Sequence, residues 1–229
     1  MQEITFKSSK FSIVRIFMKL LGALAVLILV SGCQAIGQAD TCPLPREDTE
    51  RLLALNFEQF DQDLKGGWRA VGDRHGCEAR GARLIEAYIK KHQKNIPARR
   101  VATLNWHLGQ MWASAGDSRK AIAAFKATKP EGDDAQNFYA DATIAYLQRD
   151  RKAFDQARAG LAALPPPKNW DKAVADYEKR FNMPGPVWPI NLDVVDRLSA
   201  CFDEPYWLAY SGACLNAVTP TTPPTAVKP

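Results

Sequence analysis

The chain has little of what metal and nucleophile chemistry needs. It carries three histidines and five cysteines, none in a close metal-ligand spacing, which excludes the usual zinc arrangements. It has no Gly-x-Ser-x-Gly elbow, no Ser-x-x-Lys on a helical stretch and no glycine-rich phosphate loop, so the common signatures of serine hydrolases and nucleotide binders are missing. Net positive charge is small outside the N-terminus. Of the net charge of +5, residues 1–32 contribute Lys7, Lys10, Arg15 and Lys19 against Glu3, and the remainder holds 26 basic and 24 acidic side chains. A nucleic-acid binder would show a basic stripe on its folded part, so none is expected as a partner. No segment alternates with the period of a strand, and no cofactor or metal is expected.

What is present begins with an address. Residues 20–30 form an uncharged apolar run of 11 residues, too short to span a bilayer comfortably, which takes about 20. A basic segment precedes the run and Ser31 and Gly32 follow it, the three-region order of a secretory signal peptide. Val30-Ser31-Gly32-Cys33 resembles the lipobox of bacterial lipoproteins, in which the last cysteine is lipidated and becomes the mature N-terminus. The resemblance implies lipidation of Cys33. Gln34 in place of an aspartate implies the outer membrane, facing the periplasm. Cleavage near Ala35 or Ala39 is the alternative, and Met18 is an alternative start. Stable anchoring takes two or three acyl chains, because one binds only marginally.

With Cys33 acylated, Cys42, Cys77, Cys201 and Cys214 remain. An even number in an exported protein reads as a disulfide framework. Three pairings are possible, and proximity in sequence favours Cys42–Cys77 with Cys201–Cys214.

The mature chain reads as helices throughout. Leu53, Phe57, Phe60 and Leu64 fall on one stripe, ended by Gly66-Gly67. A second helix is expected over Cys77–His92, and a third after Pro97 with Val101, Leu104, Leu108 and Met111 inward. A fourth starts near Asp117, and others are expected over 134–147 and 150–163. Pro165-Pro166-Pro167 is a stop. Asn169 caps a helix through Phe181, Asn191 caps another with Leu192, Val195, Leu198 and Phe202 inward, and a last short helix spans 205–213. The tail 217–229, rich in proline and threonine, is expected to lack a fold.

Leu108-Gly109-Gln110-Met111-Trp112, then Gly116-Asp117, Ala121, Phe125 and Pro130, resemble a tetratricopeptide repeat. Gly109 and Ala121 let two helices approach, Trp112 and Phe125 fill the groove between them, and Gly116 suits a left-handed helix end. The family's helix-A tryptophan is replaced by Asn105, with Trp106 beside it, and its late proline falls early, at Pro130. A second unit places Tyr146 34 residues after Trp112 and Arg149-Asp150 at the turn, while Arg151-Lys152-Ala153-Phe154 echoes Arg119-Lys120-Ala121-Ile122 at a shift of 32. The fold class is therefore all-α: a short solenoid of antiparallel helix pairs resembling tetratricopeptide repeats, with capping helices at both ends, because about three units are needed for stability. The expected organisation is a signal peptide over 1–32, a lipid-anchored tether over 33–46, a helical pair over 47–96, repeats over 97–164, a helical cap over 165–216 and the tail.

Candidate site residues follow from this architecture. Such solenoids present a concave groove formed by the A helices, which suits an extended peptide or a partner helix. Polar or aromatic A-helix positions off the apolar stripes are Asn105, Trp106, Gln110, Asn137 and Thr143. His107 is either a groove residue or a solvated one. His75 beside Cys77 reads as a turn histidine next to a disulfide. Glu58, Asp61 and Asp63 form the one dense acidic cluster and read as a solvated face, as do Lys90-Lys91 and Arg99-Arg100. Tyr206, Trp207 and Tyr210, with Trp188, read as packing around the last helices, with an exposed partner patch as the alternative. The function expected is a non-catalytic scaffold binding a protein or peptide in the cell envelope, analogous in architecture to lipoproteins that assist outer-membrane assembly or pilus biogenesis. An immunity lipoprotein against a periplasmic toxin and an enzyme of the wall or its lipids, built on Glu58 and Asp61, are the alternatives.

Overall fold

The computed structural model describes residues 42–216; Cys33, the signal peptide, the first part of the tether and the tail lie outside the described residues. The described chain is helical, with no strand. Its elements are α1 (Arg46–Leu53), a π-helical turn (Glu58–Gln62), α2 (Arg69–Gly72), α3 (Glu78–His92), α4 (Ala98–Ser114), α5 (Ser118–Thr128), a 3₁₀ turn (Lys129–Glu131), α6 (Asp134–Gln148), α7 (Arg151–Ala162), α8 (Trp170–Phe181), α9 (Leu192–Ala200), α10 (Tyr206–Ser211) and α11 (Ala213–Asn216). From α3 to α7 each helix packs on its neighbour in sequence, with α4/α5 and α6/α7 the tightest pairs, giving stacked antiparallel helix pairs.

The α4/α5 pair is close because of Gly109. A Cβ there would stand 2.6 Å from the Phe125 ring, so the aromatic of one helix occupies the space that a glycine leaves on the other. The α6/α7 pair uses the same device with the roles exchanged, Gly160 of α7 facing the Phe138 ring of α6. Both inter-helix turns are built alike. Gly116 at φ +83° ends α4, the Asp117 amide donates to the Trp112 carbonyl (2.9 Å) and the Asp117 carboxylate accepts from the Lys120 amide. Arg149 at φ +58° ends α6, the Asp150 amide donates to the Ala145 carbonyl (2.9 Å) and the Asp150 carboxylate accepts from the Ala153 amide. The turns are thus equivalent at 33 residues, Asp117 with Asp150, rather than at the 34 and 32 read from the side chains. Tyr146 is accordingly the counterpart of Ala113 and not of Trp112. A left-handed arginine is costly. Here its guanidinium lies over the Tyr146 ring, 5.0 Å from the centroid, and donates to the carbonyls of Phe202 and Glu204, tying the turn to the C-terminal helices.

The single N-terminal stripe expected over Leu53–Leu64 is broken. α1 stops at Leu53, and the π turn brings adjacent side chains, Phe60 and Asp61, into the interior while Leu64 is 79% exposed. Phe60 stacks on Tyr88 with centroids 3.7 Å apart, and the chain reverses at Gly67 (φ +55°), where the Trp68 amide donates to the Phe60 carbonyl.

Two disulfides join Cys42 to Cys77 and Cys201 to Cys214, with Cα atoms 5.4 and 6.2 Å apart, the pairing that sequence proximity favours. They indicate an oxidising, extracytoplasmic compartment. Among the described residues no helix is long and apolar enough to cross a membrane.

Candidate binding groove

The C-terminal helices decide how much of the A-helix face stays open. α9 packs on α6 and α7, and α10 packs on α9 and α4, so the chain lays its own cap over the C-terminal halves of α4 and α6. Named bonds hold it there. Gln110 donates to Tyr210 Oη (3.0 Å), Tyr146 donates to the Cys201 carbonyl (3.1 Å), Arg151 reaches Ser199 and Arg158 pairs with Asp196 at 2.7 Å. Burial pushes the hydroxyls of Tyr139 and Tyr206 well above the ordinary tyrosine range, and neighbouring tyrosines push in the same direction.

The N-terminal halves of α4 and α6 remain uncovered by the cap and border a cavity of about 280 Å³. α4 supplies Arg99, Ala102, Thr103 and Trp106, which fall on one face at i, i+3, i+4 and i+7. The α5–α6 turn supplies Glu131 and Gly132, the first turn of α6 supplies Ala135 and Gln136, and the segment before α9 closes the far side with Trp188, Ile190 and Asn191. Trp106 is fixed from behind by the Phe125 and Tyr139 rings, 4.8 and 4.5 Å away. Trp188 is fixed by its indole N–H on the Leu164 carbonyl (2.8 Å) and by an edge contact with Trp170 at 5.1 Å. Two rigid indoles with an arginine and acidic and amide groups at the rim make a small pocket, of a size for one or two side chains.

The five groove candidates divide. Trp106 lines the cavity. Asn105 is half-buried and is not among the residues that line it. Gln110 is occupied by Tyr210 of the chain's own cap. Asn137 donates to the Gly132 carbonyl (3.2 Å), and its buried Oδ1 has no hydrogen-bond partner among the described residues. Thr143 is fully buried and donates to the Tyr139 carbonyl (2.9 Å); it is a packing residue, because the cap covers that end of α6. Arg99, Glu131, Gln136 and Trp188 were not singled out as groove residues. The face spacing of Arg99 with Trp106 is visible in the sequence, whereas the arrival of Trp188 depends on how the proline-rich connector folds back.

The acidic cluster divides: Glu58 and Asp63 are exposed, as a solvated face would be, and Asp61 is not. Asp61 is fully buried and accepts from His107 Nδ1 (2.7 Å), Trp68 Nε1 (3.0 Å) and Gln62 Nε2 (2.6 Å). Burial pushes its carboxyl upward, but the bonds from His107, Trp68 and Gln62 and the His107 charge outweigh it and hold the pKa below the ordinary value. His107 Nε2 lies 3.4 Å from Arg69 Nη2, so both ring nitrogens face the protein. Glu58 is exposed and paired with Arg100 at 2.6 Å, so the two carboxylates do not converge on one site. Arg69 also donates to the Asp61 carbonyl and lies over Trp68. The cluster therefore staples the N-terminal segment to α4.

His75 is exposed near Trp207, and its neighbour Cys77 is consumed in a disulfide. Of the aromatic cluster, Tyr206 is buried while Trp207 and Tyr210 are partly exposed. Comparison with protein-family models, with curated proteins and with solved structures finds no match.

Proposed function

We propose that this chain is a lipid-anchored periplasmic protein, held to the outer membrane through Cys33, whose tetratricopeptide-like helix pairs bind a protein or peptide of the cell envelope without catalysing a reaction. The observation that carries the reading is the pocket at the open end of the A-helix face, where Trp106 and Trp188 stand rigid beside Arg99, Glu131 and Gln136. Aromatic anchors with polar groups at the rim are the usual composition of a protein-recognition hot spot. The 33-residue equivalence of the two capped turns supports a repeat architecture, and the two disulfides agree with export. The lipobox-like Val30-Ser31-Gly32-Cys33 supports the anchor.

The test is capture in living cells. A tagged form without Cys33, exported and disulfide-bonded, is cross-linked and its partners are identified by mass spectrometry. One dominant envelope protein, bound one to one, is the expected result. A single secreted toxin in its place would favour the immunity reading. A blank from a folded bait would overturn the scaffold.

A further inference from the structure

One stretch of the chain is charged with a single sign. Residues 87–116 contain Lys90, Lys91, Lys94, Arg99 and Arg100 and no aspartate or glutamate. The five cations belong to the last turn of α3, the connection over 93–97 and the first turn of α4. α3 and α4 pack on each other, so the cations gather at one end of the pair, and all five are exposed. Two of them have partners. Arg100 pairs with Glu58 at 2.6 Å, and Lys91 donates to the Leu53 carbonyl (3.1 Å). Lys90, Lys94 and Arg99 have no ion pair among the described residues.

Lys90 suits its place, because the helix dipole favours a cation at a C-terminus. Arg99 does not. It stands in the first turn of α4, which holds no acidic residue, and there the dipole disfavours a cation. Arg99 also lines the pocket that Trp106 and Trp188 border, so an uncompensated guanidinium stands beside two fixed indoles. The α5–α6 turn brings two carboxylates to the same pocket, Glu131 and Asp133. The Asp133 carboxylate is engaged by the Gln136 amide at the start of α6. Glu131 remains against Arg99, Lys94 and Lys90, and the α4 side of the pocket is cationic.

We propose that the pocket receives an acidic segment of the partner protein. One apolar or aromatic side chain of that segment enters between Trp106 and Trp188, and its neighbouring aspartates or glutamates meet Arg99, Lys94 and Lys90. The proposal rests on the reading of the pocket as a protein-binding site and adds the chemistry of the partner. Charge complementarity at such a rim fixes register and rejects wrong partners more than it adds affinity. The occupant is protein rather than anionic lipid for two reasons. A concave pocket between fixed rings fits one inserted side chain, whereas a headgroup layer is flat. The Cys42–Cys77 bond lies at the N-terminal end of α3, and Lys90 is about 20 Å further along that helix. The cations thus stand at the end of α3 remote from the point where the residues before Cys42 join the helices.

The experiment is selection from a random peptide display library by the full disulfide-bonded chain, immobilised in detergent, at low and high salt. The selected peptides should carry an aromatic or aliphatic residue flanked by aspartate or glutamate, with acidic residues enriched at least threefold over the library and less so at high salt. A bait with Lys90→Glu and Lys94→Glu should keep the apolar residue and lose the acidic bias. Lys90→Gln with Lys94→Gln, which adds no repulsion, should weaken the bias, and an unchanged Tm checks that both baits are folded. Peptides without acidic bias that are lost with Trp106→Ala would overturn the acidic partner and leave the binding pocket standing. No selectable peptide would overturn both. Sedimentation of the Cys33→Ser chain with phosphatidylglycerol vesicles, abolished by Lys90→Glu and Lys94→Glu, would assign the cations to lipid and overturn the proposal.

Discussion

Asp61 shows how one side chain organises the N-terminal third. It accepts three side-chain bonds in the interior, so replacing it by alanine leaves the Trp68 and His107 N–H groups without an acceptor. Asp61→Ala should cost about 3 kcal/mol of stability, measured by denaturant unfolding. The pH dependence has a definite sign. The folded pKa of Asp61 lies below its ordinary 3.8. Its contribution is therefore complete above that value and is lost as pH falls through the lower folded pKa. The stability gap between wild type and Asp61→Asn should shrink below about pH 4, and a gap constant down to pH 2 would contradict the assignment. Gly109→Ala places a methyl group against Phe125 and should cost about 2 kcal/mol, read as a lowered Tm. Gly109 was legible because a glycine inside a helix with a repeat-like pattern around it implies a close approach. Asp61 was not, because its burial is created by His107, 46 residues away, and its neighbours Glu58, Gln59, Gln62 and Asp63 read as a hydrated run.

At the scale of elements, the C-terminal cap is the part whose loss is most informative. Cys201–Cys214 closes a 13-residue separation beside the bonds from Tyr146, Arg149 and Gln110. Removing it with Cys201→Ser and Cys214→Ser should cost about 3 kcal/mol, and hydrogen exchange should quicken first in α9 and α10 while α3 and α4 stay protected. Uniform loss of protection across all helices would show that the cap is not a separable unit. The helices themselves were readable from apolar spacing, the Gly116-Asp117 and Arg149-Asp150 turns and the proline stops, whereas Asn169 and Asn191, expected as caps, make no side-chain capping bond. The break after α1 was not, since Leu53, Phe57, Phe60 and Leu64 satisfy a helical period that the Phe60–Tyr88 stack overrides. Nor was the exposure of α8, whose amphipathic pattern is the same for a buried stripe as for one left uncovered.

At the scale of the molecule, the described chain is a short stack of helix pairs whose C-terminal helices pack back on α4, α6 and α7. The expectation of five groove residues assumed an open solenoid. The cap closes the face around Gln110 and Thr143 and leaves the pocket at Trp106. No local sequence signal reports that closure, because it depends on α9 and α10 returning across about 100 residues to Gln110. The most direct test is quantitative capture of the proposed envelope partner by wild type, Trp106→Ala and Gln156→Ala baits. Binding at the open end predicts at least a tenfold loss with Trp106→Ala, about 1.4 kcal/mol, and no loss with Gln156→Ala on the opposite helix of the second pair. Equal capture by all three baits would contradict it.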